Sequence, residues 1–470
     1  MPQFLDRPVF RLVGQVAADR GVRAFVIGGY VRDCLLGRKC TDIDIVVEGS
    51  GIEFAAAVGE RCGKQPAYFP SFGTAMLKYH GDEIEFVGAR KESYRRESRK
   101  PIVENGTLED DQRRRDFTIN AMALSLLPDN YGELIDPFGG VRDLAAGIIR
   151  TPLDPDTTYS DDPLRILRAV RFATKLSTPE LEFRIVPESM DSMRRMADRL
   201  SILSVERITE ELTKMMATAR PSMSFRLMDE GGLLSRILPE LTALKGVETV
   251  DGRGHKDNFA HTLAVLDNVA SVSDSIPLRW AALLHDIGKA VCKRYDPSLG
   301  WTFHGHDVVG SKMVPAIYNR LRMSQDEGKF VKKMVWLHMR PISLVDEEVT
   351  DSAVRRLLFD AGDDIDSLMI LCNADITSKN PVKVARIRSN FELVKGKMAV
   401  VEEKDRIRNF KNPITGEYVM EVYGIPPCHE IGRLKDMVKE AILDGVIGNN
   451  FEEADAFMRR KAADMGLHEK

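Results

Sequence analysis

Apolar positions follow two different rhythms along the chain. In the first third the runs are short and dense. AFVIGG (24–29) and DIDIVV (42–47) read as brief buried strands, and residues 31–36 between them have room for one or two helical turns. Residues 53–62 carry a helical pattern. Residues 74–78 and 83–87 predict further strands, the second alternating Ile84 and Phe86 with Glu83 and Glu85. The segment 94–115 breaks the rhythm. It is dense in charge, interrupted by Pro101 and Gly106 and aperiodic, which predicts a mobile loop. Strands mixed with helices make residues 1–150 an α/β unit with a small mixed sheet.

Beyond Asp161 the rhythm becomes helical. Leu, Ile, Val and Met recur at helical spacing through 164–172, 202–216 and 225–234, and strand signals largely vanish. The remainder is expected to be all-α, broken by loops at 251–257 and 296–302. The segment 449–470 reads as a charged helix with Phe451 and Phe457 on one face.

With 470 residues the chain exceeds what one core usually holds, so several domains are expected. Its composition, 43% hydrophobic and 29% charged, fits a globular protein, and no apolar run approaches membrane-spanning length. The first ten residues lack the pattern of a signal peptide, and the six cysteines are dispersed, which points to a cytoplasmic protein with reduced thiols and no Cys-based zinc site. A net charge of −4 argues weakly against nucleic acid, but an RNA-end enzyme needs only a local basic surface.

The first chemical constellation is Gly28-Gly29-Tyr30-Val31-Arg32-Asp33 followed by Asp42-Ile43-Asp44. Paired glycines after a strand let the backbone approach phosphate, and the helix start supplies N–H donors. Residues two apart on a strand point the same way, so Asp42 and Asp44 present two carboxylates together. Such a pair calls for a cation between them, and Mg²⁺ suits the chemistry of hydroxyl attack and pyrophosphate departure. Glu85, on a neighbouring predicted strand, offers a third oxygen ligand.

VIGGYVRD…TDIDIVVEG resembles the active-site signature of the tRNA nucleotidyltransferase and bacterial poly(A) polymerase family. The likeness continues in order through GARKESY (88–94), LEDDQRRRDFTINAMA (108–123), IDPFGGVRDL (135–144), SDDPLRILRAVRFA (160–173) and LSVERITEELTKMM (203–216). It implies a nucleotidyltransferase palm, with Asp42 and Asp44 holding Mg²⁺. It also implies nucleotide contacts from Gly28, Gly29, Arg32, Arg114, Arg115, Asp116 and Asn120. Asn120 shares a face with Asp116 if that segment is helical. The implied substrates are CTP and ATP, and the acceptor is the tRNA 3′ end. The family's long flexible loop, placed here at 94–113, favours full CCA addition over CC addition.

Within SDDPLR, Pro163 suits a first helical turn with Asp162 as its N-cap. Arg165, Arg168 and Arg171 then recur every third residue as a slowly winding stripe. The resemblance implies that Asp162 and Arg165 act as a protein template. A carboxylate accepts from the exocyclic amine of cytosine or adenine, and a guanidinium donates to the adjacent ring nitrogen. Guanine and uracil present the reverse pattern and would leave these groups unpaired. Asp161 stands where many relatives have Glu, a carboxylate one methylene shorter.

A second constellation lies in the helical part: His261, the adjacent pair His285-Asp286 in ALLHDIGK, His306, His338 and Asp375. Imidazole and carboxylate together suit a divalent transition metal. The pattern resembles the HD phosphohydrolase superfamily, with His306 and His338 fitting the extra ligands of dinuclear members. It implies cleavage of 2′,3′-cyclic phosphates or removal of terminal phosphates at RNA ends, against the plainer expectation of a degenerate site whose fold is kept for packing or RNA binding.

The expected division is a head at 1–150, a neck at 151–245, an HD domain at 246–390 and a helical tail at 391–470. The rival functions are a poly(A) polymerase, a partial CC- or A-adding enzyme, or an HD phosphohydrolase whose N-terminal half binds RNA. The sequence leaves the oligomeric state open.

Overall fold

The computed structural model describes residues 1–470 apart from 41, 96, 97, 347–349, 378, 379, 406, 408 and 409, and describes residues 91–95, 98–103, 253, 345, 346, 381, 383, 388, 404 and 405 by backbone alone. The chain divides into two compact units, Met1–Ile237 and Leu238–Lys470.

The first unit opens with helix α1 (Pro8–Arg20), strand β1 (Ala24–Ile27), helix α2 (Gly29–Leu35), strand β2 (Asp42–Val47) and helix α3 (Gly51–Cys62). Strands β3 (Ala67–Phe69), β4 (Thr74–Tyr79) and β5 (Asp82–Gly88) follow, then β6 (Arg90–Arg95), β7 (Ser98–Asn105) and helix α4 (Leu108–Arg113). Strands β8 (Ala123–Ser125) and β9 (Leu134–Ile135), helix α5 (Gly140–Ala145) and strand β10 (Ile148–Ile149) come next.

Seven of these strands form one sheet in the order β3-β4-β5-β2-β1-β8-β9. Only β2 and β5 run parallel, so the sheet is mixed. A central strand flanked on both edges can bury every side chain, and all four residues of β1 are buried. The chain between β2 and β5 includes α3, whose start is fixed by Ser50 Oγ accepting the Glu53 N–H at 3.2 Å.

Where the sequence predicts a loop, the described residues of this segment take regular secondary structure. Strands β6 and β7 pair as an antiparallel ribbon, and α4 begins with a reciprocal Thr107–Asp110 capping box. A two-stranded ribbon need not bury one face, so it does not require the apolar alternation that the sequence lacks. Residues 96 and 97, inside that expected loop, lie outside the described residues.

Helices α6 (Pro155–Asp161) and α7 (Leu164–Leu176), strand β11 (Arg184–Ile185), and helices α8 (Pro187–Met196) and α9 (Val205–Met216) complete the part of this unit that bears on the site. The residue before a proline avoids the helical region, and Asp162 is extended at φ −139° and ψ 101°. That ends α6 and restarts the chain as α7. Helix α7 is assigned from Leu164, with Pro163 just before it at helical φ −60° and ψ −17°, and Asp162 makes the cap bond expected of it, its Oδ1 accepting the Leu164 N–H at 3.1 Å. Helix α7 buries Ile166, Leu167, Val170, Phe172 and Leu176.

The second unit is built mainly of helices. Asn258–Ala270, Ile276–Leu284, His306–Arg320, Gln325–Leu337 and Ile365–Ala374 pack around Leu263, Trp280, Leu283, Tyr318, Met334 and Leu368. Short strands also occur in the part expected to be all-α: β11 pairs with β10 of the α/β part, Thr249–Val250 with Arg253–Gly254, and Arg294–Asp296 with Gly300–Thr302. Elements of two or three residues are too brief to leave a periodic signal.

The last helix, Phe451–Asp464, buries Ala454, Met458 and Ala462. Phe451 is exposed, so the expected phenylalanine face is not the packed one. Six residues turn a helix by about 600°, which places Phe451 and Phe457 well apart around the axis, whereas fourth neighbours align. Among the described residues no helix is long and apolar enough to cross a membrane.

Candidate functional site

Asp42 and Asp44 sit on β2 with Ile43 and Ile45 buried in alternation with them. In the parallel pairing Asp44 stands opposite Glu85 and Asp42 opposite Glu83. On its other edge Asp44 stands opposite Ile27, so the turn at Gly28 leaves the sheet beside it. Burial pushes the Asp44 carboxyl up, Glu85 and Asp42 add to this, and Arg115 opposes them. Crowded carboxylates of this kind match the donor chemistry of a divalent cation.

Gly28 has φ +76°, a conformation costly for any residue with a Cβ. A Cβ there would also lie 2.8 Å from Arg115 Nη1. Arg115 is aimed at this turn by Asp111, which is fully buried and clamps two arginines: Arg114 Nε lies 3.0 Å from Oδ1 and Arg115 Nε 3.0 Å from Oδ2.

A chain of polar contacts links the glycine turn to α7. Arg32 Nη1 donates to Asn120 Oδ1 (2.6 Å), Asn120 Nδ2 donates to Asp116 Oδ1 (3.0 Å), and Arg168 Nε donates to Asp116 Oδ2 (2.8 Å). Asn120 meets Asp116 through a 3₁₀ turn, Thr118–Asn120, rather than along an α-helical face. Burial would raise the Asp116 carboxyl, but Arg168, Asn120 and Arg165 hold it down to about 2.

The arginine stripe on α7 does not act as one face. Arg171 is buried against Glu211 of α9 at 2.6 Å. Phe172 carries three guanidiniums, from Arg171, Arg32 and Arg168, at 4.4, 5.1 and 5.4 Å from its centroid. Arg165 donates to the carbonyl oxygens of Arg114 (2.6 Å) and Thr158 (3.4 Å). Asp161, at the end of α6, lines a cavity of about 390 Å³ with Asp156, Ser160 and Arg199.

In the second unit the six residues singled out by the sequence come together. Asp286 is central. Its Oδ2 lies 3.4 Å from His261 Nε2 and 3.3 Å from His285 Nε2, and its Oδ1 lies 3.3 Å from His306 Nε2 and 3.8 Å from His338 Nε2. Asp375 Oδ1 is 2.9 Å from His261 Nε2 and 3.7 Å from His285 Nε2. The donor atoms of His261, His285 and Asp286 lie within 4.8 Å of one another, as do those of Asp286, His306 and His338.

The backbone sets the ring orientations. His285, His306 and His338 each direct Nδ1 at the carbonyl three residues back, Ala282, Phe303 and Val335, at 2.8, 2.9 and 2.6 Å. A carbonyl only accepts, so Nδ1 carries a proton and Nε2 is the atom turned to the centre, where it would give a lone pair once a metal displaces any proton it holds. His261 Nδ1 is fixed by Thr377 Oγ1 at 2.9 Å. His285 Nε2 is buried and makes no hydrogen bond among the described residues despite its nearness to the carboxylates. Burial works against charge on His285, yet Asp286 and Asp375 pull it up to about 10. Burial and repulsion from His285 hold His338 down to about 4. Four imidazoles with inward Nε2 atoms around a shared carboxylate suit a divalent metal.

Gly288 explains the close approach of the His306 segment. A Cβ there would lie 2.1 Å from the His306 carbonyl oxygen.

The comparisons with known proteins agree along the chain. Residues 24–150 match the poly A polymerase head domain, 182–245 the probable RNA and SrmB-binding site of polymerase A, and 258–380 the HD domain. A multifunctional CCA protein of Methylococcus capsulatus is 35% identical, the match covering 79% of this chain and 83% of that one. This chain belongs to the CCA-adding tRNA nucleotidyltransferase family. Membership makes it a nucleotidyltransferase and implies dependence on a divalent cation. A second multifunctional CCA protein, from Ralstonia nicotianae, is 37% identical over 66% of this chain and 70% of its own. The solved structure of a CCA-adding enzyme with CTP superposes with a TM-score of 0.63 at 25% identity, covering 99% of this chain and 96% of that one.

Sequence reasoning missed several members of these sites. Asp111 lies three and four residues before the arginines it clamps, a spacing that signals helical pairing. Lys289 lies three residues after Asp286 and donates to its Oδ2 at 2.6 Å. Glu211 and Thr377 meet their partners only through tertiary packing and left no local signal.

Proposed function

We propose that this CCA-adding family member extends the tRNA 3′ end with CMP and AMP, taken from CTP and ATP, without a nucleic-acid template. The observation that carries the reading is the register that sets Asp44 beside Glu85 and next to the Gly28 turn, with Asp42 on the same strand. Asp42, Asp44 and Glu85 would hold Mg²⁺, which when bound neutralises the triphosphate and activates the terminal hydroxyl. The glycine turn brings backbone close to the triphosphate, and Arg115, oriented by Asp111, projects over it. Arg32 and Arg168 are held ready by Asn120 and Asp116, so their guanidiniums need little reordering when nucleotide arrives.

Asp162 and Arg165 would read the base edge. Arg165 is braced by two carbonyls and Asp162 by the Leu164 N–H, which limits the freedom of both groups. The head, neck, HD and tail division at 1–150, 151–245, 246–390 and 391–470 frames this reading, and the reaction belongs in the cytoplasm, where tRNA is matured.

The test is incubation with tRNA lacking its CCA end, with CTP and ATP singly and together, followed by sequencing of the 3′ ends. CCA ends from both nucleotides together, and CC ends from CTP alone, support the proposal. Tails of adenosine alone would place the enzyme with the poly(A) polymerases. Asp42→Ala abolishes incorporation if the assignment of the carboxylates is right.

A second activity is favoured by the six donors gathered around Asp286. A divalent transition metal held by His261, His285, Asp286, His306, His338 and Asp375 suits hydrolysis of a 2′,3′-cyclic or terminal phosphate on an RNA end. Release of product from a 2′,3′-cyclic nucleotide by wild-type protein, lost in His285→Ala, supports it; no release with any of Mg²⁺, Mn²⁺, Co²⁺ or Ni²⁺ refutes it.

A further inference from the structure

Lys175, near the end of α7, has no role in the sites described above. It lines a cavity of about 360 Å³ between α7 and α9, together with Arg171, Thr174, Ser177, Lys214 and Thr218. No carboxylate belongs to that lining. Two of its three cations are already balanced, Arg171 by Glu211 and Lys214 by Glu210, each at 2.6 Å.

The third is not. Lys175 makes no hydrogen bond or ion pair among the described residues. Lys175 is exposed, yet the protein crowded around its ammonium and repulsion from Arg32, Arg171 and Arg38 hold its pKa down, with Asp33 opposing them. Arg38 donates to the Leu176 carbonyl at 2.9 Å and has no carboxylate partner among the described residues. The end of α7 thus gathers two cations without counter-charge. The nearby hydroxyls donate back to carbonyls of their own helices or turns, Thr174 to Val170, Ser177 to Ala173 and Thr218 to Met215. Recognition at this cavity therefore falls to the cations.

We propose that Lys175, with Lys214 and Arg38, forms a phosphate-binding subsite at the end of α7. An anion there relieves the mutual repulsion of the cations, and lysine is well suited to phosphate as a point charge. A phosphodiester of the RNA acceptor is the favoured source, because Lys214 and Thr218 lie within the stretch that matches a probable RNA-binding site. The triphosphate of the incoming nucleotide is the other source of the same chemistry, since Arg32 lies close enough to repel Lys175. The inference deepens the nucleotidyl-transfer reading and rests on it for the identity of the RNA.

The experiment uses full-length protein carrying Lys175→Gln, Lys214→Gln or both, with thermal melting as the folding control. Affinity for tRNA lacking CCA is measured against salt, and KM for CTP and for tRNA is measured in parallel. Loss of these contacts lowers RNA affinity by about three- to ten-fold per lysine and flattens the logarithmic salt dependence by about one unit for each. A raised KM for CTP with RNA affinity unchanged assigns the subsite to the triphosphate. Unchanged RNA affinity, salt slope and both KM values in the folded double variant overturn the proposal. If wild-type protein incorporates no nucleotide, the transfer reading fails, and the RNA-binding arm still reports on the subsite.

Discussion

Arg168 grips one oxygen of Asp116 twice, with Nε at 2.8 Å and Nη2 at 2.6 Å from Oδ2. This pair joins α7 to the segment that carries Asn120 and, through it, Arg32. Because the folded carboxyl is held near 2, below the unfolded value of about 4, its stabilisation is complete above pH 4 and is lost as pH falls towards 2. Asp116→Asn is expected to cost about 1–2 kcal/mol at neutral pH, since Arg168 remains partly open to water, and to flatten the acid limb of stability. Urea unfolding between pH 2 and pH 7 measures both effects, and an unaltered acid limb would count against the pairing.

Gly28→Ala should be far more harmful than Gly29→Ala. The first places a Cβ at positive φ and 2.8 Å from Arg115 Nη1, whereas at Gly29 the nearest atom to an added Cβ is Arg32 Nη2, at 3.6 Å. Expected are a loss of about 1–2 kcal/mol and a large drop in kcat/KM for Gly28→Ala, with the thermal midpoint of Gly29→Ala unchanged. Melting curves and incorporation kinetics on the two variants decide it.

Asp162→Asn tests base selection with little disturbance to the fold. Its amide oxygen can still accept the Leu164 N–H, but its NH₂ now donates where the carboxylate accepted. Rejection of UTP and GTP is expected to fall from about 10⁴-fold to about 10²-fold or less, read from competing kcat/KM values. Undiminished rejection would remove Asp162 from the template.

Divalent metal should raise the melting midpoint of the wild-type protein through the cluster around Asp286. At one hundred times its dissociation constant a ligand bound only by the folded state stabilises by about 2.7 kcal/mol. The shift produced by Mn²⁺ or Ni²⁺, measured in an Asp42→Ala background so that the head's carboxylates do not contribute, should reverse with chelator and be absent when His285→Ala is added. A wild-type midpoint indifferent to every metal tried argues for a degenerate site.

The parts legible in sequence were those whose physics is local. The buried strands β1 and β2, the alternation of β5 and the adjacent His285-Asp286 pair carried short-range signals, whereas His261, His306, His338 and Asp375 were joined to that pair only through the family resemblance. The start of α7 was legible too, because the extended backbone that proline imposes on Asp162 and the capping preference of aspartate act together. The β6–β7 ribbon was not, because its charged residues show no alternation. The arginine stripe looked like one surface, but Glu211 from a distant helix takes Arg171 and Asp116 takes Arg168. Tertiary partners redirected side chains that spacing alone had aligned.

The backward Nδ1 bonds of His285, His306 and His338 make each imidazole an extension of the preceding turn of chain. Ring direction is thereby written into helical phase. Inserting one residue between Gln325 and Leu337 would swing His338 by about 100° and uncouple it from Asp286, although every donor would remain in the sequence. In such lineages a motif search would still find all the letters of a centre whose spatial grammar had been lost.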